Sequence, residues 1–117
     1  MSLLEACVGS YASSKAAYQG GADRLELCAN PVIGGTTPSR ALFLQVQRDF
    51  DIKINVMIRP RFGDFLYDDA ELEEMCAEIA SFRDLGANGV VLGVLTPEGE
   101  MDEARMARLI SCVGNME

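Results

Sequence analysis

The chain of 117 residues contains no histidine. Without an imidazole, Ser-His-Asp and Cys-His catalysis are excluded for this chain, and so are zinc sites that use histidine ligands. The four cysteines form no C-x-x-C pair, so the motifs of zinc ribbons and thioredoxin-like enzymes are also missing. In a reducing compartment these cysteines are expected to be free thiols unless a metal ion binds them.

Basic residues are scarce as well, with ten lysines and arginines against eighteen aspartates and glutamates and a net charge of −8. No basic stripe is present to displace phosphate counterions, so we expect no nucleic-acid partner and no membrane partner. No apolar run approaches the roughly 20 residues that span a bilayer. The N-terminus reaches Glu5 without a basic segment, unlike a signal peptide. We therefore expect a cytoplasmic protein.

The residues that are present form the composition of an ordinary globular protein, with 49% hydrophobic and 24% charged residues. Hydrophobic periodicity and turn residues predict four strands that alternate with four helices. The strands are predicted at 3–8, 23–28, 53–58 and 88–95. The helices are predicted at 11–19, 38–49, 69–85 and 103–113, with N-caps at Thr37, Asp68 and Asp102 for the last three. Strict alternation indicates right-handed crossovers and a parallel sheet, hence the α/β class.

The predicted strands have two unlike faces. One face is apolar and suited to packing under helices, whereas the other carries Glu5, Arg24, Glu26 and Asn55. An open doubly wound sheet buries both faces, so a polar second face favours a TIM (β/α)8-type barrel with its site at the C-terminal mouth. Four βα units are half of such a barrel. Either the chain is a fragment, which we favour because a half-sheet leaves two unpaired edges, or two halves associate, and a homo-oligomer is the expected assembly.

Five motifs follow one another along the chain: L-E-A-C-V, G-G-A-D-R-L-E-L-C-A-N, G-G-T-T-P-S, V-M-I-R-P-R-F-G-D-F-L-Y and G-V-V-L-G-V-L-T-P-E-G-E-M-D. Together they resemble the CutC copper homeostasis family, and the resemblance covers essentially the whole chain. It implies a TIM barrel in which residues 1–117 form the N-terminal half of a single domain. It also implies a cytoplasmic role in copper homeostasis, through copper binding or trafficking. Phe62 stands where the family usually has glycine, and a fifth strand with the motif F-H-R-A-F-D is expected beyond Glu117.

Cys7 and Cys28 are the candidate metal ligands. They end two neighbouring strands in the repeat L-E-A-C and L-E-L-C, on the polar face. Neighbouring strands lie about 4.8 Å apart, so both sulfurs could reach one ion. Two thiolates, helped by the thioether of Met57, would suit copper as Cu(I) better than a hard cation. The alternative is that both are small core thiols, as we expect for Cys76 and Cys112 on the helices.

Glu5 and Glu26 are the candidate catalytic residues, because paired carboxylates on one face could share a proton or bind a cation. The alternative is a structural network in which the arginine at position 24 balances their charge. Whether any catalysis occurs stays open at this point.

The segment N-V-M-I-R-P-R-F-G-D-F ends a buried strand with Arg59, Arg61 and Asp64. These residues are the candidate substrate-binding group, because two guanidinium forks at a barrel mouth could bind a carboxylate or phosphate. The alternative is a clamp in which the arginines fix the loop. The sequence thus supports two functions, a copper-binding homeostasis protein and a TIM-barrel enzyme acting on a small anionic metabolite.

Overall fold

The computed structural model describes residues 2–117, which form one parallel sheet of four strands alternating with four α-helices. The strands are β1 (Glu5–Val8), β2 (Arg24–Leu27), β3 (Lys53–Met57) and β4 (Gly89–Val91). The helices are α1 (Tyr11–Gln19), α2 (Arg40–Asp49), α3 (Asp69–Leu85) and α4 (Glu103–Val113), with a short 3-10 turn at Pro31–Ile33. The strand order β1-β2-β3-β4 follows the chain. Right-handed crossovers in this order place all the helices on the same side of the sheet.

The hydrophobic core lies between the sheet and the helices. The strand register sets Leu25 beside Ile54 and Leu27 beside Val56, and all four side chains are buried. Phe43 from α2 contacts Phe82 from α3 edge to face, with ring centroids 5.4 Å apart. The predicted apolar face is therefore the face that the helices cover, except at Leu4, which is 59% exposed beside the unpaired edge of β1.

Side-chain caps fix where the helices begin. Asp68 accepts a hydrogen bond from the backbone N–H of Glu71, and the Glu71 carboxylate accepts one from the backbone N–H of Asp68. Asp102 caps α4 by accepting from the backbone N–H of Arg105 at 3.0 Å. Both caps were predicted from the sequence, and both are confirmed.

The predicted cap of α2 is wrong. The helix begins at Arg40, and Ser39 is its N-cap, accepting a hydrogen bond from the backbone N–H of Leu42 at 3.1 Å. The Thr37 hydroxyl is engaged elsewhere, because it accepts from the backbone N–H of Arg59 at 2.9 Å. Thr37 thus fastens the start of α2 to the end of β3 instead of capping the helix.

The fourth strand is shorter than predicted. Regular pairing with β3 stops at Val91, and Leu95 forms an isolated antiparallel bridge with Met101. The segment after β4 therefore folds back on itself as a loop at the C-terminal end of the sheet. No helix in residues 2–117 is both long and apolar enough to cross a bilayer.

Candidate functional site

Cys7 and Cys28 lie next to each other where β1 and β2 end. Cys7 is paired in register with Glu26, and the backbone N–H of Cys28 donates to Val8 O at 3.0 Å. Cys7 is exposed, whereas Cys28 is 1% exposed. Burial raises the pKa of the Cys28 thiol to about 11, and the neighbouring Cys7 thiol adds to the shift. The structure thus brings the two predicted ligands together, one at the surface and one beneath it.

A third sulfur, that of Met57, reaches the same place from β3. A Cβ atom built on Gly35 would lie 2.8 Å from Met57 Sδ and 3.2 Å from Cys28 Sγ. Gly35 has φ +89°, a backbone conformation that residues with a side chain rarely adopt. A hydrogen atom at this position leaves room for both sulfurs. The sequence shows two neighbouring glycines here, but nothing in it indicates that a side chain on the second would collide with two sulfurs.

The donor set is soft and small. No group of three or more His, Cys, Asp or Glu side chains is arranged to hold a metal ion within residues 2–117. The candidate donors are therefore the thiols of Cys7 and Cys28 and the thioether of Met57, at the C-terminal ends of β1, β2 and β3. Thiolate and thioether sulfur favour Cu(I) over hard cations, which prefer several oxygen ligands. The residues present therefore fit a soft monovalent ion.

The carboxylates of Glu5 and Glu26 also lie together, one layer deeper on the same face. Glu5 forms an ion pair with Arg24 and accepts a hydrogen bond from Asn55 Nδ2 at 3.2 Å. Burial is the largest cause of the raised pKa of Glu26. A hydrogen bond with Glu5 and the negative charge of Glu5 raise it further. One carboxylate is held by an arginine, and the other takes up a proton more readily. The ion pair between Glu5 and Arg24 agrees with the structural network that was the alternative interpretation. An acid–base role for Glu26 stays a prediction.

Asn55 also belongs to this cluster, although the sequence placed it only on the polar face and not among the candidate site residues. It is one of two buried polar residues in the described chain and links Glu5 to Asn88, whose Nδ2 donates to Asn55 Oδ1 at 2.8 Å. Its only sequence signal is a polar side chain within the buried run K-I-N-V-M of β3.

Arg61 is bound within its own loop. Its Nε donates to Glu71 Oε2 at 2.5 Å, and its Nη2 donates to Asp64 Oδ1 at 3.1 Å and to Leu66 O at 2.7 Å. The guanidinium also stacks on the Tyr67 ring, 5.0 Å from its centroid. Hydrogen bonding to Glu71 is the largest cause of the raised pKa of Arg61. These contacts favour the clamp interpretation for Arg61 and Asp64, and their substrate-binding role stays a prediction.

Arg59 is engaged differently. Its guanidinium donates only to backbone carbonyls, those of Ile33, Gly35 and Gly63, at 3.1, 3.0 and 2.8 Å. It packs over the Phe65 ring, 4.9 Å from the centroid, instead of over Tyr67. The structure therefore does not bring the two guanidinium groups together to bind one anion. Of these two arginines, Arg59 is the one that forms no ion pair with a carboxylate within residues 2–117.

Comparison with known proteins assigns the chain to a family. The CutC family model matches residues 2–116. A CutC family protein of Chromobacterium violaceum is 46% identical over 114 residues, and one of Porphyromonas gingivalis strain W83 is 47% identical over the same length. Each alignment covers 97% of this chain and 46% of the relative. The chain thus spans about half the length of the curated relatives it matches.

Solved structures agree on the fold. The crystal structure of CutC from Streptococcus agalactiae, named for a proposed role in copper homeostasis, is 33% identical and superimposes with a TM-score of 0.90. The match covers 99% of this chain and 57% of that one, and identifies the four βα units as part of a TIM barrel. A Burkholderia cenocepacia protein described as a candidate phosphonomutase, at 22% identity and a TM-score of 0.59, shares the fold alone. The chain belongs to the CutC family, a family named for copper homeostasis.

Proposed function

We propose that the chain binds copper as Cu(I) through the thiolates of Cys7 and Cys28, within a cytoplasmic role in copper homeostasis. The observation that carries the proposal is the meeting of Cys28 and Met57 sulfur at Gly35, beside the Cys7 thiol. Soft sulfur donors in this number match the low coordination that Cu(I) accepts. Copper here is cargo that the protein holds and passes on, and Cys7, exposed at the surface, is the ligand that an incoming ion meets first.

Binding has to displace thiol protons, because the thiolate is the ligand. The high pKa of Cys28 means that its proton is still bound at neutral pH. Apparent Cu(I) affinity should therefore rise with pH up to about 11, and binding should release protons to the buffer.

An anaerobic titration with Cu(I) against a competing chelator tests the site. The Cys7→Ser/Cys28→Ser double variant is expected to bind Cu(I) at least about 100-fold more weakly than the unaltered chain. The matched control is Cys76→Ser/Cys112→Ser, which removes the two thiols of α3 and α4 and should leave the affinity within about twofold. Equal binding by all three proteins would clear Cys7 and Cys28 of any ligand role.

Binding of a small anion is a second proposed function, and one observation favours it. Arg59 has no carboxylate partner in residues 2–117, which supports the alternative function of a TIM-barrel enzyme that binds a small anionic metabolite at the barrel mouth. Arg61 and Asp64 would join such a site only by giving up contacts with each other. Glu5 and Glu26 would be its acid–base pair.

We also propose that the chain supplies the N-terminal half of a single TIM-barrel domain and that it associates with further copies. The sheet ends at β1 and at β4, where Glu117 covers part of the outer edge by exchanging hydrogen bonds with Val90 and Asn88. Apolar side chains are exposed near both ends, at Leu4 and at Ile110 of α4. Light scattering after size exclusion should give a multiple of 12.7 kDa. A mass of 12.7 kDa at all concentrations, from a chain that circular dichroism shows to be folded, would contradict the association.

A further inference from the structure

Arg59 is a half-buried cation without a counter-charge in the described chain. The ion pairs within residues 2–117 involve Arg24, Arg48, Arg61, Arg83 and Arg105, and none includes Arg59. A charge removed from water is costly unless an opposite charge or several hydrogen bonds compensate it. Backbone carbonyls provide only part of that compensation.

The guanidinium is also held in one position before any ligand arrives. Three carbonyl oxygens, from the turn before α2 and from Gly63, accept its Nη1 and Nη2 hydrogens. The Phe65 ring packs against its flat side. Its backbone N–H is fixed by the Thr37 hydroxyl. A donor immobilised in this way loses little freedom on binding, which is the condition for a preorganised anion site.

Two polar atoms near this guanidinium have no hydrogen-bond partner. Arg59 Nε and the Tyr67 hydroxyl are both buried, and neither finds an acceptor or donor in residues 2–117. Tyr67 as a whole is 5% exposed. Buried groups of this kind are normally satisfied, so each unpaired one requires an explanation. Arg59 thus keeps an N–H donor that no residue of 2–117 accepts, whereas Tyr67 lies outside the cavity at Arg59.

A cavity of about 250 Å³ opens beside Arg59 at the C-terminal end of β3 and β4. Its wall is mainly apolar and includes Met57, Phe65 and Gly93 together with Arg59. A dianion such as phosphate would leave charge without a partner here, since Arg59 is the one cation in the wall. One negative charge and a short apolar body match both the charge and the lining.

We propose that this cavity binds a small monocarboxylate with a short aliphatic chain, its carboxylate on Arg59 and its chain against Met57 and Phe65. This site differs from the thiol pair because it binds an anion through a guanidinium instead of a metal ion through sulfur. Met57 borders both sites. It gives the chain a ligand class that copper binding alone does not require.

Amide chemical shifts measured during a titration with butyrate test the proposal, with butyramide as the uncharged counterpart of the same shape. Butyrate should shift the amides of Gly34, Phe65 and Gly93 saturably, with a dissociation constant on the order of 1 mM, and butyramide should bind at least about tenfold more weakly. Equal shifts with both compounds, or no saturable shift at these amides, would overturn the proposal.

Gly93→Leu blocks the cavity without touching the Arg59 contacts. No atom lies within 4 Å of a Cβ built at Gly93, so the new side chain has room to enter the cavity and the fold is retained. Butyrate binding should fall at least about tenfold in this variant and stay unchanged in Ala107→Leu, which adds the same side chain on the exposed face of α4. Undiminished butyrate binding by Gly93→Leu would place the anion elsewhere and overturn the assignment. Copper affinity is measured on the same samples and should be unchanged, which separates this test from that of the thiol site.

Discussion

Replacing Phe43 by alanine is expected to lower the free energy of unfolding by about 3–5 kcal/mol, a large part of the total stability of a domain of this size. Phe43 is fully buried in α2 and contacts Phe82 of α3 edge to face, so it joins two helices above the sheet. The substitution removes this aromatic contact and opens a cavity at the centre of the core. Urea denaturation followed by circular dichroism measures the loss.

The neighbouring residue supplies the control. Leu44 belongs to the same helix and is 42% exposed, so Leu44→Ala should change the free energy of unfolding by less than about 1 kcal/mol. Equal losses from the two substitutions would mean that α2 does not pack through Phe43, and the arrangement of the core would have to be revised.

Replacing Gly35 by alanine is expected to weaken both the fold and the sulfur site. The left-handed backbone at φ +89° costs about 1–3 kcal/mol for a residue with a side chain. The new Cβ would also approach Met57 Sδ to 2.8 Å, so the thioether has to move away from Cys28. We expect lower stability in thermal denaturation together with lower Cu(I) affinity in the chelator competition.

Gly21→Ala separates these two effects. Gly21 has φ +94°, similar to that of Gly35, but no atom lies within 4 Å of a Cβ built there. It should therefore lose a comparable amount of stability while leaving Cu(I) affinity unchanged. If both variants bound Cu(I) as tightly as the unaltered chain, the space at Gly35 would have no bearing on metal binding.

The features predicted correctly from the sequence are those that depend on residues close together in the chain. The capping box at Asp68 and Glu71 and the N-cap at Asp102 depend on residues three apart, so they could be identified without any knowledge of the fold. Alternating strands and helices then determined the α/β class, and the polar second face of the strands favoured the barrel. The predicted order of the strands also placed Cys7 and Cys28 correctly at the ends of two neighbouring strands.

Contacts between distant segments account for what was missed. Thr37 caps no helix because the backbone of Arg59, 22 residues later, binds its hydroxyl. Glu71 serves the cap of α3 and also binds Arg61, a second role that its position in a capping box does not reveal. The small space beside Gly35 is bounded by sulfurs from two other chain segments, and none of the three segments carries a local signal for this arrangement.

X-ray absorption at the copper edge of the Cu(I)-loaded chain tests the central claim most directly, because it identifies the atoms bound to the metal. We expect sulfur neighbours alone, two from Cys7 and Cys28 and a third from Met57, and we expect the two cysteine sulfurs to be lost in Cys7→Ser/Cys28→Ser. Nitrogen or oxygen as the main neighbours, or a spectrum that the double substitution leaves unchanged, would contradict it.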